Sequence, residues 1–154
     1  MRYHDARTSI SSGDVILFRG RGPVAWLIRT LTRSLYDHSA IAWEIGGRVL
    51  VIEARMLGGV KADPLSTRLA DHAAWVPTGI YFDELRLKVA IRDLGRPYSF
   101  LNCFRALIGL PGVRGQFECA QLVASVLGLP DGGWTPQGLR DFFGDRPAIP
   151  LEVS

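Results

Sequence analysis

At 154 residues, with 47% hydrophobic and 21% charged side chains, the chain has the size and balance of one globular domain and is neither disordered nor fibrous. Its formal charge of +3 rests on arginines scattered along the chain (Arg19, Arg21, Arg29, Arg33, Arg48, Arg55), too dispersed to make a nucleic-acid surface. Two cysteines, Cys103 and Cys119, give neither a disulfide framework nor zinc-type spacing, and no apolar run approaches the roughly 18 residues of a membrane span.

The first residues, MRYHDARTSISSGD, lack the apolar centre of a secretory signal, so a cytoplasmic location at synthesis is expected. Gly13-Asp14 reads as a turn into a short buried strand, Val15-Ile-Leu-Phe18. Gly22-Pro23 opens an amphipathic helix over Val24 to Leu35, with proline suited to a first turn. Two strand-like runs follow, His38 to Ile45 and Arg48 to Arg55, and the Gly46-Gly47 pair between them signals a hairpin. Shorter strands are expected near Gly59 to Ala62 and Ala74 to Pro77. The second half turns helical: Phe82 to Leu94 stopped by Gly95, Tyr98 to Leu110 stopped by Pro111-Gly112, and a helix opening near Cys119 and running to Leu129. Thr135-Pro136 caps a last short helix through Phe143. Strands first and helices after is the order of an α+β domain, a single one spanning residues 1–154.

The hairpin can be carried to its side chains. If Gly46 and Gly47 form the turn, Ile45 faces Arg48, and counting back places Ala40 opposite Glu53. His38 then lies one diagonal step from Glu53 on the same face, within reach of a long side chain. Glu53 would accept a hydrogen bond from one His38 ring nitrogen and leave the other free. The small Ala40 and Ala42 on that face would admit the helix that begins at Cys119. A helix start favours thiolate, so nucleophile, base and orienting carboxylate would be complete. Each member also has a plainer role open to it: Cys119 as a small apolar residue of a buried helix, His38 as a structural histidine, Glu53 as a solvated strand residue. Cys103, inside the apolar run Phe100 to Leu110, is expected in the core, and His4 and His72 lie in polar segments.

The order Gly13-Asp-Val-Ile-Leu-Phe18, Asp37-His-Ser-Ala-Ile41, Val51-Ile-Glu-Ala54 and Phe117-Glu-Cys-Ala-Gln-Leu-Val123 resembles the circularly permuted branch of the NlpC-type, papain-like cysteine peptidase superfamily, its YiiX-like group. The likeness runs from Ser12 to Leu129, with histidine and glutamate ahead of the cysteine rather than after it. It implies Cys119 as nucleophile, His38 as base and Glu53 as the residue orienting it. It also implies a small antiparallel sheet or partial barrel packed on the cysteine helix. Tyr98, in Pro97-Tyr-Ser-Phe100, resembles the tyrosine that lines the family's active site, and a core aromatic at a helix start would look the same. Ala120 departs from the serine that follows the cysteine in many relatives.

A cysteine hydrolase or amidase acting on an amide bond is the expected activity, with a peptide of bacterial cell-wall type, such as a peptidoglycan stem peptide, as substrate and no cofactor or metal. Phage delivery or intracellular peptide recycling would each bring such an enzyme to its substrate. Two alternatives stand beside it. One is an acyltransferase, thioesterase or lipid hydrolase related to lecithin–retinol acyltransferase, whose nucleophile motif differs from Glu118-Cys-Ala-Gln121. The other is a non-catalytic binding or assembly module of the same fold.

Overall fold

A computed structural model describes residues 1–108, 110, 111, 113 and 117–152. Its centre is a six-stranded open sheet, antiparallel at every pairing, in the order β4-β3-β2-β1-β5-β6. The strands are β1 (Val15–Phe18), β2 (His38–Ile45), β3 (Arg48–Arg55), β4 (Gly59–Pro64), β5 (Ala73–Val76) and β6 (Ile149–Pro150). Because β4 and β6 end the sheet on opposite sides, the partial-barrel form of the expectation does not hold. The helices are α1 (Tyr3–Ala6), α2 (Pro23–Thr32), α3 (Glu84–Arg92), α4 (Phe100–Leu107), α5 (Cys119–Leu127) and α6 (Pro136–Phe142).

The hairpin forms in the expected register. Gly46 and Gly47 take φ of 58° and 75°, values that favour glycine, and Ile45 pairs with Arg48 through to Ile41 with Ile52. Ile41 is buried on one side, whereas Trp43 is only half-buried and Ile45 is exposed, because the strand end runs past the helix that covers it. Helix α2 stops at Thr32 rather than Leu35: Arg33 turns left-handed and its N–H closes on the carbonyls of Arg29 and Thr30. The Gly112 stop proposed for α4 lies outside the described residues. Strand β6, helix α1 and the two 3-10 turns over residues 65–71 are too short for a periodic signal.

One expectation is reversed. Helix α5 packs on the face of Val15, Leu17, Ile41 and Ile52, not on that of Ala40 and Ala42. Its buried Leu122, Val123, Val126 and Leu127 meet large apolar partners there. The Ala40 and Ala42 face is covered instead by Ala6, Ile10, Leu65, Leu69 and Leu151, from turns and chain ends. The sheet is therefore buried on both sides, and the candidate residues meet at one end of β2 rather than across one face.

Candidate active site

His38 opens β2, paired with Phe18 of β1, and its ring lies 5.6 Å from the Phe18 ring. From β3, Glu53 reaches it: His38 Nε2 to Glu53 Oε2 is 2.5 Å, and the glutamate is fully buried. An ionised carboxylate only accepts, so Nε2 carries the proton and Nδ1 is left as the basic nitrogen. The diagonal contact expected from the hairpin register is present.

Glu53 has a second partner that the sequence did not reveal. Arg68 Nε stands 3.0 Å from Glu53 Oε1, an ion pair off the line of a good hydrogen bond, and Arg68 Nη2 donates to Oε2 at 3.4 Å. The guanidinium lies over the Phe18 ring, 5.1 Å from its centroid, and donates to Asp71 Oδ2 at 2.7 Å. Burial alone would raise the Glu53 carboxyl. The His38 hydrogen bond and the charges of His38, Arg68 and Arg55 outweigh it and hold the group below its ordinary value. Arg68 sits between the two 3-10 turns, Leu65–Thr67 and Leu69–Asp71, and nothing in the polar run Arg68 to His72 distinguishes it from a solvated arginine.

Cys119 is the first residue of α5, as expected, but its thiol is not primed there. Glu118 caps the helix: Oε1 accepts from Gln121 N at 2.5 Å and Oε2 from Ala120 N at 3.1 Å. The Cys119 thiol donates to Glu118 Oε2 at 3.4 Å. Burial first, then the Glu118 carboxylate, push the thiol well above its ordinary value, so the expected helix-start thiolate is not the resting state. The cap carboxylate occupies the electropositive end of the helix, a competition the bare motif did not show. Glu118 is itself raised, chiefly by burial.

Tyr98 is positioned by a chain of backbone contacts. Val60 N donates to Arg96 O and Gly95 N to Val60 O, which ties the turn after α3 to β4, and Tyr98 then bridges to Phe117 just before the cysteine. Its hydroxyl donates to the Cys103 thiol, and burial, followed by the nearby Cys119, raises it beyond the usual range. Cys103 is therefore half-buried beside Tyr98, not a core residue, with burial raising its thiol too.

One cleft of about 420 Å³ has Phe18, His38, Arg68, Tyr98 and Cys119 among its walls. His38 and Cys119 share it without a hydrogen bond between them: the imidazole is held by Glu53 and the thiol by Glu118. Asp37, beside the histidine, is turned away to Arg29 Nη1 at 2.6 Å and Gly20 N at 2.8 Å. His4 and His72 are exposed and pair with Asp5 and Arg21.

No protein-family model matches the chain, and no curated protein does. The crystal structure of the metalloprotein YiiX from Escherichia coli O157:H7 matches it with a TM-score of 0.59 at 22% identity. The fold is similar to that of YiiX. The likeness covers 75% of this chain and 63% of the YiiX chain. The chain thus spans under two thirds of YiiX, and at this identity the two share a fold rather than a demonstrated chemistry. The likeness to YiiX agrees with the group named from the sequence motifs.

Proposed function

We infer that the chain is a cysteine hydrolase of amide bonds, with Cys119 as nucleophile, His38 as general base and Glu53 as the group that orients the imidazole. The observation that carries this reading is the 2.5 Å His38 Nε2–Glu53 Oε2 bond at the cleft that Cys119 also lines. The thiol proton passes to His38 Nδ1 as sulfur attacks the carbonyl carbon. His38 then gives that proton to the departing amine as the C–N bond breaks, leaving a thioester on Cys119. Water, deprotonated by His38, attacks the thioester and releases the acid. The Cys119 backbone N–H is the natural donor to the tetrahedral oxyanion, because the Glu118 side chain already takes the N–H groups of Ala120 and Gln121. Before any of this, the thiol must leave Glu118 Oε2 and turn towards His38. A peptide of cell-wall type is the substrate class that the family resemblance suggests.

A non-catalytic module of this fold is the second reading, and one observation favours it: a buried thiol tied to a carboxylate. YiiX is described as a metalloprotein, but among the described residues here no three His, Cys, Asp or Glu side chains group to hold an ion. Arg68 also sets a fixed positive charge against Glu53, where a cation would compete with it. Incubating the protein with amide, peptide and ester panels and reading products by mass spectrometry tests the reading. Turnover that vanishes in Cys119→Ala and His38→Ala supports it, and turnover that survives Cys119→Ala removes it.

A further inference from the structure

Helices α2 and α4 carry apolar faces that the fold does not use. No residue of α2 is buried, and Trp26, Leu27 and Leu31 are 59%, 49% and 58% exposed. On α4, Phe100, Leu101, Phe104 and Ile108 fall at a spacing that puts them on one side, and all are more than half exposed. The helices come together over the candidate site. Ile28 and Thr32 of α2 and Cys103 and Ala106 of α4 wall one small cavity, with Glu118 and Cys119 also lining it. Seven large apolar side chains exposed on and next to two helices that wall one cavity exceed the scattered exposure normal for a monomer.

Charge indicates what covers them. Between Asp14 and Asp37 the chain holds Arg19, Arg21, Arg29 and Arg33 and no carboxylate, and between Asp93 and Glu118 it holds Arg96, Arg105 and Arg114 and again none. Arginines that look dispersed in the sequence are gathered by the fold: Arg19, Arg21, Arg29 and His72 line a cavity of about 460 Å³, and Arg21 also lines the candidate cleft. Asp37 neutralises Arg29, whereas Arg21 meets only an imidazole nitrogen, at 3.1 Å. A second copy of this surface would set arginine against arginine. An anionic bilayer answers both features, acyl chains to the aromatic and leucine side chains and phosphates to the arginines.

We propose that α2 and α4 form a docking surface for an anionic phospholipid bilayer, with Arg19 and Arg21 at the headgroup phosphates and the Cys119 cleft held at the lipid–water boundary. At ten and eight residues the helices lie in the interface plane rather than cross it, and none among the described residues is long and apolar enough to span. The consequence for substrate, which rests on the hydrolase reading, is an amide or ester carried by a lipid or a membrane-anchored peptide. The docking surface itself stands independently of that chemistry.

The test is flotation of the Cys119→Ala protein with vesicles of phosphatidylcholine alone and of phosphatidylcholine mixed with phosphatidylglycerol, at low and high salt. Using the inactive variant separates docking from catalysis. Binding is expected to the anionic vesicles and to weaken with salt. It should fall about tenfold or more when Leu27→Glu and Leu31→Glu are combined, when Phe104→Glu is made alone, or when Arg19→Glu and Arg21→Glu are combined. Absence of binding to both vesicles would overturn the proposal. So would binding unchanged in both apolar variants, or a dimer in solution that Leu31→Glu dissolves while vesicles remain unbound.

Discussion

Replacing Glu53 with Gln exchanges one carboxylate oxygen for an NH2 group and removes the charge on which the site is built. The carboxylate is fully buried, and Arg68, its cationic partner, is only 15% exposed. An amide cannot satisfy both neighbours: if its oxygen faces His38 Nε2–H, its NH2 faces the guanidinium, and the reverse flip sets two donors at the histidine. Removing one member of a buried ion pair costs about 3–5 kcal/mol. Asp71, 2.7 Å from Arg68 Nη1, still compensates part of that charge, which places the expected loss near the lower end, about 3 kcal/mol. For a domain of this size that corresponds to a fall in Tm of about 6–12 °C. Urea unfolding of Glu53→Gln, Arg68→Met and the double variant measures it. The double variant should lose less than the sum of the singles by about 2 kcal/mol, because neither charge is then left alone. A Glu53→Gln protein within about 0.5 kcal/mol of the parent, or a strictly additive cycle, would refute the assignment of Glu53 as the shared counter-charge.

Acid lability should follow from the same group. Its carboxyl is held below the ordinary value, so its stabilisation is fully present above about pH 4.3 and is lost as the pH falls through the lower folded-state value. Melting curves of Glu53→Gln should therefore show a flatter acid limb than the parent, and parallel limbs would contradict this. Glu118→Gln should lower the pH at which Cys119 reacts with iodoacetamide, since the Glu118 charge helps to raise the thiol; an unshifted rate profile would count against that coupling. Gly59→Ala should cost more than about 2 kcal/mol, because φ is +66° and a Cβ would overlap the Arg96 carbonyl oxygen that receives the Val60 N–H. A neutral Gly59→Ala in urea unfolding would show that the turn before Tyr98 is free to move.

The parts of the site that could be read from the sequence are those set by local period and turn chemistry. Gly46-Gly47 and the alternation on either side determine the β2–β3 register, and the register brings His38 to Glu53. The apolar run after Cys119 makes the cysteine helix legible as well, although α5 ends at Leu127 with Gly128 turning left-handed rather than at Leu129. The sheet face that α5 chooses was not visible. That depends on matching the volumes of Leu122, Val123 and Val126 against Ile41 and Ile52 rather than against alanines, a tertiary quantity. Arg68 was hidden for a similar reason: its position beside Glu53 follows from how residues 65–71 fold over the Ala40 face. The thiol's resting state is not legible from the helix start alone, because the cap here is the carboxylate next to the sulfur. Helical spacing in α2 and α4 was legible, but periodicity does not say whether an apolar stripe meets a core or solvent.

Covalent trapping at Cys119 tests the account most directly. Activated esters and amides incubated with the protein, quenched in acid and digested, should leave an acyl group on the peptide that contains Cys119. The adduct should disappear in Cys119→Ala and fall sharply in His38→Ala, while Cys103 stays unmodified. An acyl group on Cys103 in place of Cys119, or substrate turnover undiminished in Cys119→Ala, would contradict the reading of this cleft as a Cys–His–Glu hydrolase site.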